Sequence, residues 1–425
     1  MQSDLATFGG WCFLAGVFLM ISGDGLTNFS EPNPSLAWPW LYLIPFAVSL
    51  PLMVVAGRVG VRKASRAAIL YPPLVALLVA FAVSTVFSQV HVLSVSSLCG
   101  LVGIATFWWY LTQVLEDDWL ANATWIVVAL AVLQLAAEVI AARLAEGLDQ
   151  IPLHIQTVAW LGKLQITWVL NLIAPFLLAR FIGDRRPWVS RFNGVAWIAA
   201  GIANYLLLAR MGTIVFVLTT LAVCLLNLKH WRRWVWMIGT AVAAGAFMVV
   251  NNLRVSTFVV STIFDRSQNA GIDLRLQTWG EAWRLFLAHP IFGIGVGTFD
   301  EVVYRIPGTV AIRDFYFAGW HAYNVPLHIL TEAGVLGLAA WVFLWYVVLK
   351  ALVRGWRSGD EQRRLLSTAA LVSVVAFQVL SMTEVLIGTR VQASMRMNLT
   401  LALLVVGGLR MSLPPRYHAG DARSS

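Results

Sequence analysis

HAYNVPLHILTEAGVLGLAAWVFLWYVVL, residues 321–349, decides the fold. It opens on a polar tetrapeptide, His321-Ala322-Tyr323-Asn324, and then runs apolar over 325–349, long enough to cross a bilayer at about 20 residues per span. Upstream lies a polar interlude, 254–324, holding six arginines and two histidines and set between long hydrophobic runs. Outward from this stretch the chain carries about twelve candidate spans, at 7–23, 37–57, 68–88, 92–115, 120–142, 164–182, 194–209, 211–228, 234–253, 325–349, 365–383 and 397–412. The pattern predicts an all-α polytopic membrane protein with about twelve transmembrane helices, one membrane domain over 1–425, and one large outer loop at 254–324.

Composition agrees with that reading. The chain is 59% hydrophobic and 12% charged, with a mean hydropathy of +0.75, against roughly 45–50% and 25% for soluble domains. The net charge of +9 does not mark a nucleic-acid binder, because the basic residues sit in short clusters between apolar spans. Cys12, Cys99 and Cys224 each lie inside an apolar span without paired spacing and read as small buried hydrophobes. Residues 1–7 carry Asp4 and no basic residue, so the first span is expected to be retained rather than cleaved as a signal.

Charge placement predicts sidedness. With the N-terminus inside, clusters around Arg58–Arg66, Arg180–Arg191, Lys229–Arg233, Lys350–Arg364 and Arg410–Arg423 put nineteen of the 30 basic residues on the cytoplasmic side. Both termini are then cytoplasmic and the interlude is outside. The loop Glu116-Asp117-Asp118 falls on the cytoplasmic side without a basic residue of its own, and acidic residues weigh little in orientation.

Within the interlude, Leu276, Trp279, Trp283 and Phe286 recur at helical spacing. They predict a helix that either lies in the membrane interface or packs as an ordinary loop helix. Pro290 and the run Gly293-x-Gly295-x-Gly297 end it, and with no preceding strand that run is not a nucleotide loop. Arg210 interrupts an apolar stretch from Val195 to Leu228, although an arginine at mid-bilayer costs about 2.5–3.5 kcal/mol. Either it marks a tight outer turn or it faces a polar cavity where it binds an anion, with Arg275 as a bidentate partner. His321 closes the loop and is a candidate proton acceptor; His289 and His328 read as secondary.

These residues resemble the O-antigen ligase/polymerase superfamily of bacterial envelope enzymes. Arg275-Leu-Gln-Thr-Trp279 and His289-Pro290-Ile-Phe-Gly293-Ile-Gly295-Val-Gly297-Thr-Phe299 are similar to its outer-loop signature, and Asn324 to Gly337 is similar to the second half. Ala209-Arg210-Met211-Gly212 resembles its short Ser-Arg-Gly turn, with alanine in place of serine and a methionine inserted. Where the family has a histidine directly before the asparagine, this chain has Tyr323, and His321 matches the first histidine of the longer form.

The resemblance implies a GT-C-like fold in a bacterial inner membrane and an active site on the periplasmic face. It implies transfer of a glycan from undecaprenyl pyrophosphate to a hydroxyl acceptor, with lipid A-core as the acceptor of a ligase. The site expected is Arg210, Arg275 and Arg266 on the pyrophosphate, His321 or Tyr323 taking the acceptor proton, and Asn324 and Glu332 in support. The partners expected are the lipid-linked glycan, lipid A-core and membrane lipids, with no cofactor and no metal. A chain with no extra region after Leu413 is expected to be a ligase rather than a protein O-oligosaccharyltransferase. An O-antigen polymerase is nearly as compatible, and a lipid-linked solute transporter would instead show broken spans repeated in two halves.

Overall fold

A computed structural model of the chain describes residues 2–22, 43–60, 65–146, 157–158, 161–207, 210–227, 235, 239, 270–304, 322–382 and 392–413. Its helices are α1 (Gln2–Ser22), α2 (Leu43–Val55), α3 (Tyr71–Val86, entered through a 3₁₀ turn at Arg66–Leu70), α4 (His91–Val114), α5 (Asp118–Glu146), α6 (Lys163–Gly183), α7 (Pro187–Leu206), α8 (Arg210–Leu225), α9 (Ala270–Ala288), α10 (Phe299–Tyr304), α11 (Val325–Trp356), α12 (Glu361–Ser381) and α13 (Gln392–Ser412). A two-residue antiparallel ladder, Thr157↔Gly162 and Val158↔Leu161, is the one departure from an all-α chain among the described residues.

Among the described residues, seven helices are long and apolar enough to cross a membrane by length and composition, and Leu43–Val55, Gly212–Leu225 and Met397–Ser412 are shorter apolar helices. The chain is a polytopic α-helical membrane protein. The expected span at 234–253 lies outside the described residues.

Local chemistry sets the helix starts. Proline supplies a fixed φ and no N–H where the N–H would have no helical partner, and it stands in the first turn of α3, α7 and α11. Asp360 caps α12 by accepting from Gln362 N and Arg363 N. The core is continuous through the bundle: α1 packs on α2 and α5, α5 on α7, α6 on α7 and α12, α3 on α11, and α13 on α4 and α12. Trp125 stacks on Phe176 at 4.7 Å in its interior. Val75, Val79, Val92 and Val342 stand exposed on the outside, where a lipid chain is as good a neighbour as another apolar side chain.

Contacts between helix ends sort the bundle into two ends. At the first, Arg66 Nε meets Glu116 Oε2 at 3.2 Å, Arg58 meets Asp117 at 3.6 Å, and Arg410 pairs with Asp118. Gly183 abuts Leu365 there, and Ser367 bonds Ser412 at 2.7 Å. The acidic loop that lacked basic residues of its own takes them from two other segments, and charge placement had assigned all three segments to one side. By alternation, the far end holds the starts of α4, α6, α8 and α11 and the ends of α3, α5, α7 and α12.

Candidate functional site

At the far end, α11 is broken. Gly334 has φ 63° and ψ −165°, so a short helix from Val325 meets the long span at a sharp kink. A kink strips the preceding carbonyls of their helical partners, and buried carbonyls must find others. The segment after α9 supplies them: Ile294 N donates to Thr331 O (3.0 Å), Gly295 N to Glu332 O (3.0 Å), and Val335 N turns to Pro290 O (2.9 Å). Ser84 Oγ adds a second donor to Glu332 O at 2.6 Å.

Such close approach requires glycine on both sides. Gly293 (φ 72°) and Gly334 lie in left-handed conformations, and a Cβ on either would run into the other segment's backbone. The glycine run is therefore a docking turn, and the two halves of the sequence signature form one interlocked unit.

The Glu332 carboxylate closes that unit. It accepts from Gly297 N at 2.8 Å and Phe299 N at 3.0 Å, and His328 Nε2 lies 3.4 Å from it. His328 is buried with its ring edge against Phe299, and His289 Nε2 pairs with Gln89 Nε2 at 2.8 Å. Both histidines hold structure here. Glu332, expected as a supporting residue, is held by the backbone N–H groups of the glycine turn and α10.

A small second core of Ala282, Leu285, Ile294, Phe299, Val302, Val303 and Ala322 joins α9, the glycine turn, α10 and the approach to α11. Because Ala322 is fully buried in it, the residue that follows is pinned. Tyr323 adopts φ 47°, a left-handed conformation uncommon for a bulky residue. Its ring lies under the Arg275 guanidinium, 5.5 Å from centre to carbon. Asn324 caps α11, accepting from Leu327 N at 3.0 Å, and its amide reaches Met382 O at the end of α12.

Two of the expected site residues thus come together across about 50 positions of sequence, Arg275 from α9 and Tyr323 from the α11 approach. The backbone of Arg210 opens α8 directly after α7, at the same end of the bundle; its side chain is outside what is described. His321 and Arg266 also lie outside the described residues.

The face α9 buries is the narrow one of Thr278, Ala282 and Leu285, while Leu276, Trp283 and Leu287 stand exposed. An exposed apolar stripe on a helix at the end of a membrane bundle fits the interfacial alternative better than the packed one.

Arg143 was missed by the sequence reading. It stands in the last turn of α5 at this end and is 1% exposed. The signal was present, since a charged residue near the end of an otherwise apolar span is costly and needs a partner or a cavity.

Residues 195–342 match the family model described as O-antigen ligase. The match runs from within α7 to beyond the α11 kink and takes in Arg210, Arg275, Tyr323 and Glu332, which bears out the resemblance to the O-antigen ligase/polymerase superfamily. No curated protein matches the chain.

Proposed function

Proceeding from that family match, which covers ligases and polymerases among glycosyltransferase-like enzymes, we propose that the chain transfers O-antigen from undecaprenyl pyrophosphate to lipid A-core. The chemistry takes place at the periplasmic end of the bundle, with the ion-paired end and both termini in the cytoplasm. The observation that carries the reading is the meeting of Arg275 with Tyr323 beside the Asn324 cap, on the same end as the start of α8.

Glycosyl transfer from a lipid diphosphate builds negative charge on the departing group. Arginines keep their own charge at any physiological pH and offer planar donors to phosphate oxygens. Arg275 fills this role, with Arg210 and Arg266 as partners. The acceptor hydroxyl attacks the anomeric carbon while the carbon–oxygen bond to the diphosphate breaks, and its proton passes to neutral His321 or to Tyr323 in its phenolate form. The rigid docking unit around Glu332 keeps these groups in place without touching substrate. The arginines carry the charge stabilisation, so activity is expected to survive a chelator.

Purified full-length protein, given lipid-linked glycan and lipid A-core, is expected to place glycan on lipid A-core. Lengthened glycan with nothing on lipid A-core would make it a polymerase, the other activity the matched family covers.

A further inference from the structure

Three polar side chains from α6 and α7 converge under the first turn of α8. Asn171 is fully buried, and Thr167 and Asn204 are each 1% exposed. Asn171 Nδ2 donates to Thr167 O at 2.7 Å and faces Asn204 Oδ1 at 3.4 Å. That leaves the Thr167 hydroxyl, Asn171 Oδ1 and Asn204 Nδ2 without a hydrogen-bond partner among the described residues.

Gly212, the third residue of α8, lies directly over them. A Cβ at that position would strike the Thr167 methyl and stand 3.3 Å from Asn171 Nδ2. The cluster therefore faces the N-terminal turn of α8, whose first N–H groups have no helical acceptor and carry the positive end of the helix dipole. Unpartnered polar groups in an apolar interior are costly, and three in one place need an explanation. The one bond between the two amides, Asn171 Nδ2 to Asn204 Oδ1, ties α6 to α7 and leaves the other atom of each amide over.

The donors are a hydroxyl, an amide NH₂ and a helix N-terminus, with one amide oxygen as acceptor. That set suits an anion rich in oxygens joined to a group bearing a hydroxyl.

We propose that Thr167, Asn171, Asn204 and the first turn of α8 form a subsite for the diphosphate and its adjoining sugar in the lipid-linked donor. This rests on the proposed function and adds to it a second set of diphosphate contacts, separate from Arg275. Thr167 and Asn204 bind the diphosphate oxygens, and Asn171 Oδ1 accepts from a sugar hydroxyl. Gly212, lacking a side chain, lets the first turn of α8 pack directly against Thr167 and so brings the helix start onto the cluster.

The test is binding of farnesyl diphosphate to the purified full-length protein in detergent, with farnesol as the uncharged control. Thr167→Val, which keeps the side-chain shape, and Asn204→Asp, which adds a repelling charge, should each weaken farnesyl diphosphate binding about tenfold or more while leaving farnesol unchanged. If Asn204→Asp fails to fold, Thr167→Val decides alone. Wild-type diphosphate affinity in a variant with an unshifted melting temperature overturns the subsite, and loss of binding in Arg275→Ala alone would leave the proposed function standing. A parent protein that does not prefer farnesyl diphosphate to farnesol overturns both.

Discussion

The two ends of the bundle hold charged groups at the edge of an apolar interior with different mixes of partners. At the first end, carboxylates meet arginines: Glu116 with Arg66, Asp117 with Arg58, Asp118 with Arg410. At the far end the buried carboxylate of Glu332 is held by the backbone N–H groups of Gly297 and Phe299, while Arg275 meets an aromatic ring and Arg143 is buried. The difference teaches how a buried carboxylate can be held without an arginine: Glu332 takes backbone amides, whereas Glu281 on α9 pairs with Arg284 as the carboxylates of the first end pair with theirs.

Arg275→Ala should break the comparison most severely. Removing a charge that stabilises a departing diphosphate is expected to lower turnover about a hundred- to a thousandfold. The measurement is glycan transfer by equal amounts of folded protein, and near-parental turnover would remove Arg275 from the chemistry.

The same substitution at both ends sharpens the contrast. Glu332→Gln replaces one acceptor oxygen by a donor facing a buried N–H and should destabilise by about 1.5–3 kcal/mol. Glu116→Gln, at a partly exposed ion pair, should cost no more than about 1 kcal/mol. Denaturant or thermal unfolding in detergent ranks the two, and equal losses would mean that the two carboxylates are held alike.

The smallest effect concerns Asp184, just past α6 at the ion-paired end. Burial pushes its carboxyl up, but hydrogen bonds from Arg186 and the charges of Arg180 and Arg186 outweigh that and hold it below the ordinary aspartate range. A lowered folded value means that its stabilisation is present above the unfolded pKa of about 3.9 and is lost as pH falls through the folded one. Asp184→Asn should therefore lower the melting temperature modestly at neutral pH, with the gap to the parent closing as pH falls through the acid limb; an unchanged melting temperature at neutral pH would show that the carboxylate contributes nothing there.

Much of this was legible in the chain itself. Apolar runs located the helices, since a span is a local property of about 20 residues. Arg275 was singled out in the chain, and the structure sets it over the Tyr323 ring. The expected span at 325–349 falls within the helix Val325–Trp356, and what the sequence did not show is its break at Gly334. Hydropathy does not register a broken helix, because the kink changes dihedral angles and partners without changing polarity. Arg143 was passed over because it sits at the tail of a long apolar run.

By itself, the sequence determined that the protein is a polytopic α-helical membrane protein and where the described long spans lie, because these depend on composition and local periodicity. Tertiary structure alone decided that the glycine turn serves the α11 kink, that Glu332 is held by backbone, and that Arg275 reaches Tyr323. It also decided that Thr167, Asn171 and Asn204 meet under α8. Each of these joins residues distant in the chain through hydrogen bonds or close approach, and such pairings are set by how helices dock, which no local pattern encodes.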